Sequence, residues 1–237
     1  MCTVTIVPYD DGFRLVCNRD ERRDRQAATP PSLQRLRHST AMFPVDPAGG
    51  GTWVGVNGAG LVAALLNRNT ESAAPRRNQS LRSRGLIIPG LLNSGSWTDA
   101  LDTAAGLDPT QFGLFRLVLA QRMVLAVVTS DGRALSVETM EVSRPFMLTS
   151  SSLGDAVVEA PRRRLFERLI GDNESEWVRT QARFHAHQWP AHTGISVNMA
   201  RRDARTVSRT VIDVTSRLVG LCYESLGAGK RRAHWAA

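Results

Sequence analysis

The order in which extended and helical patterns follow one another along the 237 residues restricts the fold more than any other feature. Strand-like runs come in blocks, and blocks of helical spacing separate them. Single alternation of strands and helices is typical of parallel sheets and Rossmann-like folds, whereas blocks are typical of antiparallel sheets that helices cover. The sequence therefore predicts an α+β fold.

Hydrophobic period and turn signals place the individual elements. The first block has strands at 3–8, 13–18, 52–57 and 61–66, with a loop containing proline and arginine between the second and third. Helices are expected at 81–92 and 97–106, strands at 112–120, 123–129, 134–142 and 146–149, helices at 160–170 and 174–188, and strands at 195–199, 206–214 and 218–223. We expect one domain over 1–226 and a flexible basic tail at 227–237.

Cys2 is the candidate nucleophile of this chain. If Met1 is removed, Cys2 carries a thiol and a free α-amine, and an amine with an ordinary pKa of about 7.7 to 8 can take the proton of the thiol. The alternative is that Cys2 is a small buried residue and the Met-Cys start is chance. Position alone favours this plainer interpretation, so the residues that follow decide the matter.

The segment after Cys2 predicts a β-hairpin, because extended patterns flank a turn signal at 10–12. Antiparallel pairing then places Cys2 opposite Arg19, Asp20 or Glu21, according to which residues form the loop. The hairpin thus brings a guanidinium and two carboxylates near the thiol. A carboxylate can orient the α-amine, and an arginine lowers the pKa of a thiol and can hold a carbonyl or carboxylate of a substrate. The alternative is a solvated cluster of charges.

Four motifs resemble the NRDE family: the Met-Cys start, Asn-Arg-Asp-Glu at 18–21, Gly-Thr-Trp-Val-Gly at 51–55 and Arg-Ser-Arg-Gly at 82–85. That family includes transport and Golgi organisation protein 2. It is similar to N-terminal-nucleophile hydrolases with an N-terminal cysteine, such as penicillin V acylase and bile salt hydrolase, which cleave non-peptide amide bonds. The resemblance implies a four-layer αββα sandwich of two antiparallel sheets.

The resemblance also implies catalytic roles for four residues. Cys2 would be the nucleophile, and Arg19 and Asp20 lie near the arginine and aspartate that support the thiol and the α-amine in the acylases. In the acylases the arginine and the aspartate are separated by more residues than Arg19 and Asp20 are. The resemblance therefore supports the location of this pair near Cys2 better than a one-to-one correspondence of the residues. Asn67 is similar to the asparagine whose amide helps to bind the oxyanion, with strand-end capping as the alternative.

We expect substrate-binding roles for Glu21, Trp53, Ser150 and Arg209. Ser150 ends a Leu-Thr-Ser segment where relatives often carry asparagine after a strand, and a hydroxyl reaches less far than an amide. Trp53 belongs to the family-like stretch, where pocket lining and core packing are both open. Arg209 is a candidate cation on the substrate side or, alternatively, an exposed strand arginine.

Composition restricts partners and compartment. Three cysteines without a Cys-x-x-Cys spacing indicate neither a disulfide framework nor a zinc site, and no metal is expected. The net charge of +8 raises nucleic acid as a partner, but Lys230 is the only lysine, and no nucleic-acid or phosphate-loop motif is present. No apolar run reaches bilayer-spanning length and no leader pattern is found, so we expect a cytoplasmic protein without a membrane span.

Two functions of different classes follow. In the first, Cys2 attacks a linear, non-peptide amide bond of a small molecule without a cofactor, and water later releases the acyl group. In the second, the same fold is a non-catalytic protein that binds and carries haem or a lipid or acyl ligand. The second is considered because animal members of the resembling family are linked to haem movement and lipid metabolism.

Overall fold

The computed structural model describes residues 2–70, 81–227 and 232–236. Within these residues the chain forms two antiparallel sheets and four α-helices. The strands are β1 (Cys2–Tyr9), β2 (Gly12–Arg22), β3 (Thr29–Arg35), β4 (Thr40–Val45), β5 (Val54–Asn57), β6 (Val62–Asn67), β7 (Phe115–Gln121), β8 (Val124–Ser130), β9 (Leu135–Glu141), β10 (Phe146–Thr149), β11 (Ala204–Val214), β12 (Val219–Ser225) and β13 (Arg232–Ala236). The helices are α1 (Ile87–Leu92), α2 (Trp97–Ala105), α3 (Asp155–Ile170) and α4 (Trp177–Ala186).

The two sheets use strands from different parts of the chain. The first sheet has the order β10-β1-β2-β11-β12-β13, and the second has the order β3-β4-β5-β6-β7-β8-β9. The second sheet is built almost entirely from chain neighbours, whereas the first joins the N-terminal hairpin to strands more than a hundred residues away. The N-terminal hairpin therefore lies between two late strands, β10 and β11.

Three apolar clusters define four layers. The central cluster lies between the sheets, where alternate residues of each strand meet: Cys2, Val4, Ile6, Leu15 and Cys17 from the first sheet, and Val54, Val56, Val62, Ala64 and Leu66 from the second. A second cluster packs the outer face of the second sheet on α1 and α2, and a third packs the outer face of the first sheet on α3 and α4. The predicted αββα sandwich is confirmed.

The N-terminal hairpin has a two-residue loop, because Tyr9 pairs with Gly12. Asp10 takes a positive φ of 51°, a conformation that aspartate tolerates better than most residues. A Cβ at Gly12 would collide with the backbone of Val214, so glycine is required where β2 passes β11. With this loop, Cys2 pairs with Arg19 rather than with either carboxylate.

Four local predictions were wrong or incomplete. The loop expected between the second and third strands contains β3 and β4; β3 is a mostly exposed edge strand with two prolines, so it lacks an apolar alternation. The helix expected at 81–92 is helical only from a 3₁₀ turn at Arg84–Leu86 onward. The helix expected at 160–170 begins at Asp155, with Pro161 inside it rather than in its first turn.

The fourth concerns the strand expected at 195–199, which does not form. The amide of Asn198 donates to the carbonyl of His187, after α4, and that of Met199 donates to the hydroxyl of Thr206 at the start of β11, so the segment meets β11 only at isolated contacts and forms no ladder with it. Within 227–237, where a flexible tail was expected, Arg232–Ala236 forms β13 against β12. Residues 228–231 and 237 of that tail lie outside the described residues.

Candidate active site

A cleft of about 560 Å³ opens beside the first residue of β1. Its walls come from β2, from the loop before β5, from the end of β6 and from the segment before α1. The lining residues with the chemistry of interest are Cys2, Arg19, Glu21, Asp46, Trp53, Asn67, Arg82 and Arg84. The hairpin and the second sheet thus meet at this cleft, with the sulfur-bearing residue at their junction.

The thiol of Cys2 lies beside a second thiol. Cys17 precedes Arg19, the strand partner of Cys2, by two residues, and its Sγ lies 3.8 Å from the carbonyl oxygen of Asn18. Cys2 is only 3% exposed, and its side chain forms a hydrogen bond with that of Cys17. This bond holds the pKa of Cys2 below its usual range, although burial acts in the opposite direction. The same bond, together with burial, raises the pKa of Cys17 well above its usual range. Cys2 is therefore the more acidic of the two thiols, with Cys17 as the hydrogen-bond donor.

Arg19 is held flat in the wall of the cleft. Its Nη2 lies 3.3 Å from Oε2 of Glu21 and 3.2 Å from Oδ2 of Asp46, and its Cζ lies 4.0 Å from the centre of the Trp53 ring. Stacking on the indole and pairing with two carboxylates hold the guanidinium in one position. Its charge adds to the Cys17 hydrogen bond in lowering the pKa of Cys2.

Asp20 points to the opposite face of the sheet, towards α3. Its Oδ1 accepts a 2.6 Å hydrogen bond from the Thr206 hydroxyl, and its Oδ2 lies 4.0 Å from Nη2 of Arg162. Burial raises the pKa of Asp20, which the charge of Arg162 and the Thr206 bond partly offset. Because side chains alternate along a strand, Arg19 and Asp20 reach different layers, and only Arg19 lines the cleft.

Ser150 lies against the backbone of Cys2 rather than in the cleft. The nitrogen of Cys2 donates to Oγ of Ser150 at 3.2 Å, and the nitrogen of Ser150 donates to the Cys2 carbonyl at 2.9 Å. The residue expected to bind substrate therefore contacts the nitrogen that would become the α-amine. Met1 itself lies outside the described residues.

Asn67 lines the cleft at the end of β6, and its side chain has no hydrogen-bond partner in the described part of the chain. An amide without a partner is available to a ligand. Arg209 is elsewhere: it donates to Oδ1 of Asn18 and to the His185 carbonyl on the helix-covered face, beside a second cavity of about 180 Å³. The structure does not bring Arg209 to Cys2, because Arg209 and Cys2 occupy opposite faces of the first sheet.

Among the residues that the structure describes, no group of three His, Cys, Asp or Glu side chains is close enough to hold a metal ion. None of the described helices combines the length and the apolar character needed to cross a bilayer.

The model of the family Transport and Golgi organisation 2 matches residues 1–188 of this chain. The chain belongs to that family. The motifs that suggested it, from the Met-Cys start to Arg-Ser-Arg-Gly, all lie inside the matched region, and the prediction is confirmed. No curated protein matches the chain by sequence.

Solved structures with a similar fold are N-terminal-nucleophile hydrolases. An N-acylethanolamine-hydrolyzing acid amidase ortholog from Caenorhabditis elegans is 16% identical, with a TM-score of 0.58 over 89% of this chain and 92% of that chain. Two variant forms of conjugated bile acid hydrolase from Clostridium perfringens are 12% and 9% identical, with TM-scores of 0.56 and 0.57. Each comparison covers 99% of this chain and 92% of the hydrolase. At these identities the likeness of this family member to the hydrolases establishes the fold.

Sequence reasoning missed three residues of the site. Cys17 could have been found, because the hairpin register places it on the same face as Cys2 and Arg19. Asp46 and Arg162 could not, since each reaches the hairpin only through the packing of β4 or α3. The chain carries no local pattern that marks either one as a partner of the hairpin.

Proposed function

We propose that this chain is an amidohydrolase in which Cys2, freed of Met1, is the N-terminal nucleophile on a linear, non-peptide amide bond of a small molecule. The observation that carries the proposal is the position of the Cys2 thiol: it lines a cleft, beside a thiol that donates to it and across from a fixed guanidinium. Such surroundings favour the thiolate, which is the reactive form.

The reaction would proceed in two steps. The α-amine of Cys2 takes the thiol proton, the sulfur attacks the amide carbonyl, and the oxyanion accepts hydrogen bonds from the Asn67 amide and a backbone N–H. The C–N bond then breaks as the α-amine gives its proton to the leaving amine. Water attacks the thioester that remains, which yields a carboxylic acid and regenerates the thiol.

Two other contacts support this assignment of roles. Ser150 holds the nitrogen of Cys2, so it would orient the α-amine that acts as base. Arg19 is fixed by Glu21, Asp46 and Trp53, so its charge stays beside the thiol throughout the reaction. Preorganised charge of this kind costs no rearrangement when the substrate reacts.

The test combines mass spectrometry of the N-terminus with hydrolysis of a panel of small amides. We expect a chain that begins at Cys2 and turnover that falls by about a hundredfold or more in Cys2→Ala. A chain extended by one alanine before Cys2 keeps the thiol but moves the amine, and it should also be inactive. Cys222→Ala removes a thiol that does not line the cleft and serves as control. Equal turnover in the wild type and Cys2→Ala would refute the proposal.

The non-catalytic alternative is a haem, lipid or acyl carrier with the ligand in the same cleft. It is favoured by the absence of asparagine at position 150, because the Ser150 hydroxyl contacts the Cys2 backbone and does not line the cleft as an oxyanion donor would. A haem titration followed by absorbance tests it. This alternative is contradicted if the spectrum of haem does not change, or if the change does not saturate as protein is added.

A further inference from the structure

The wall of the cleft before α1 carries two arginines without a carboxylate partner. Arg84 donates to the Leu114 carbonyl at 2.7 Å, and Arg82 donates to Oε1 of Gln111 at 3.1 Å. Both acceptors are neutral. Within 2–70, 81–227 and 232–236, no carboxylate lies at ion-pair distance from either guanidinium.

The other arginines of the cleft are paired. Among the described residues, six arginines line it against three carboxylates. Glu21 and Asp46 hold Arg19 and Arg25, Asp203 lies 3.4 Å from Arg201, and Arg22 pairs with Asp24 outside the cleft. The surplus of positive charge therefore falls on the wall formed by Arg82 and Arg84.

A half-buried guanidinium with only neutral acceptors is costly to maintain. Removing a charge from water is unfavourable unless an opposite charge or several hydrogen bonds replace the water. Burial lowers the pKa of Arg84 for this reason, and no carboxylate in the described part of the chain offsets the effect. An anionic group entering the cleft would supply the missing partner, and the planar fork of arginine suits carboxylate and phosphate oxygens.

This wall is fixed against the segment that carries Trp53. The nitrogen of Thr52 donates to the Gly85 carbonyl at 3.0 Å, and a Cβ added at Gly51 would collide with the backbone of Gly85. Gly113 allows Arg84 to lie close, because a Cβ there would come within 3.1 Å of its Nη1. Arg84 is thus held in place in the same cleft as Cys2.

We propose that the cleft selects ligands that carry an anionic oxygen group, carboxylate or phosphate, which pairs with Arg84 and Arg82 while the amide carbonyl lies at Cys2. The proposal rests on the proposed amidohydrolase function, whose substrate class it specifies. It is tested by binding, so that a failure of turnover and a failure of anion recognition are separate results.

The experiment uses the Cys2→Ala chain and three soluble amides, with binding followed by calorimetry at low salt. N-phenylacetylglycine carries a carboxylate, N-phenylacetylglycinamide is its neutral isostere, and N-phenylacetyl-2-aminoethyl phosphate carries a phosphate. We expect at least one anionic amide to bind about tenfold or more tightly than the neutral one. The preferred anion tells carboxylate from phosphate recognition.

Substitutions then locate the effect. Arg84→Met should abolish the preference for the anion, and Arg82→Met should reduce it. Arg217→Met removes the same charge from an exposed turn outside the cleft and should leave the preference intact. Arg84→Lys keeps the charge but loses the planar fork, so this variant should retain part of the preference for the anion. It replaces Arg84→Met as the test if that variant does not fold.

Three results would overturn the proposal: equal affinity for the neutral and anionic amides, an undiminished preference in a folded Arg84→Met chain, or no saturable binding of either anion up to about 10 mM. If the anionic amide binds selectively but the wild type does not hydrolyse it, anion recognition stands and the proposed hydrolysis of that amide fails.

Discussion

Replacing Cys17 by alanine should make Cys2 a slower nucleophile. The thiol of Cys17 donates to the Cys2 sulfur, and this bond contributes most to lowering the pKa of Cys2. Without the donor, burial and the charge of Asp20 act against the thiolate with less opposition, although the charge of Arg19 still favours it. The pKa of Cys2 should therefore rise in Cys17→Ala.

The size of the effect follows from the kind of bond that is lost. A hydrogen bond to a charged group contributes about 1.5–3 kcal/mol net, and each 1.36 kcal/mol changes an ionisation equilibrium tenfold. Below the pKa of the thiol, the thiolate fraction should therefore fall by about tenfold to a hundredfold, and the alkylation rate should fall by less, because a thiolate of higher pKa is intrinsically more nucleophilic. Cys17→Ser keeps a donor with a shorter reach and should fall between alanine and the wild type.

The assay is peptide-resolved mass spectrometry of iodoacetamide alkylation, followed over about pH 5 to 9 in a Cys222→Ser background. Val4 pairs with Cys17 across the hairpin and belongs to the same core, so Val4→Ala controls for a loosened core that admits the reagent. If Cys17→Ala reacts as fast as Val4→Ala, with the same dependence on pH, the hydrogen bond does not set the reactivity of Cys2.

Two further predictions concern the helix-covered face of the first sheet. Arg162→Met should lower the free energy of unfolding in urea by about 3–5 kcal/mol, because it removes the positive charge beside the buried Asp20 carboxylate and the guanidinium that donates to the hydroxyls of Thr3 and Thr149; the exposed neighbour change Arg163→Met should have little effect, and equal losses would contradict the reasoning. His185→Gln tests a dependence on pH: burial holds the pKa of His185 well below its ordinary value, so the unfolded chain binds a proton near pH 6.5 that the folded chain refuses. The wild type should lose stability as pH falls through that range while the variant loses less, and a difference between them that stays constant from about pH 8 to 5 would rule this out.

The hairpin shows how far local sequence reasoning reaches. Cys2 and Arg19 could be paired in advance because a turn signal and two alternating strands leave few registers open. The choice among those registers decided which residue faces Cys2, and the loop at Asp10 made it Arg19. Cys17 then follows from the same register. This part of the site depends on contacts between residues that are close in sequence.

The remaining contacts depend on packing that no local pattern encodes. Ser150 meets Cys2 across 148 residues, and Arg162 reaches Asp20 from a helix whose start the sequence pattern placed too late. The edge strand β3 was missed for the opposite reason, since an exposed strand with prolines has no apolar alternation to detect. Order and type of the buried elements were therefore predictable, whereas edge strands and long-range polar contacts were not.

The alternation of β2 divides the site into two layers with different tasks. Arg19 and Glu21 line the cleft, and Cys17 lies on the same face of β2 but in the core between the sheets, while Asn18 and Asp20 face α3 and α4. On that side Asn18 donates to the carbonyls of His185 and Val197. The charge of Asp20 raises the pKa of Cys2 by more than the charge of Arg19 lowers it. A change on the helix side should thus alter stability first and should make the thiol more acidic only if it removes the charge of Asp20, whereas a change at Cys17 or Arg19 should make the thiol less acidic. The two kinds of variant can therefore be told apart by measuring unfolding and alkylation on the same protein.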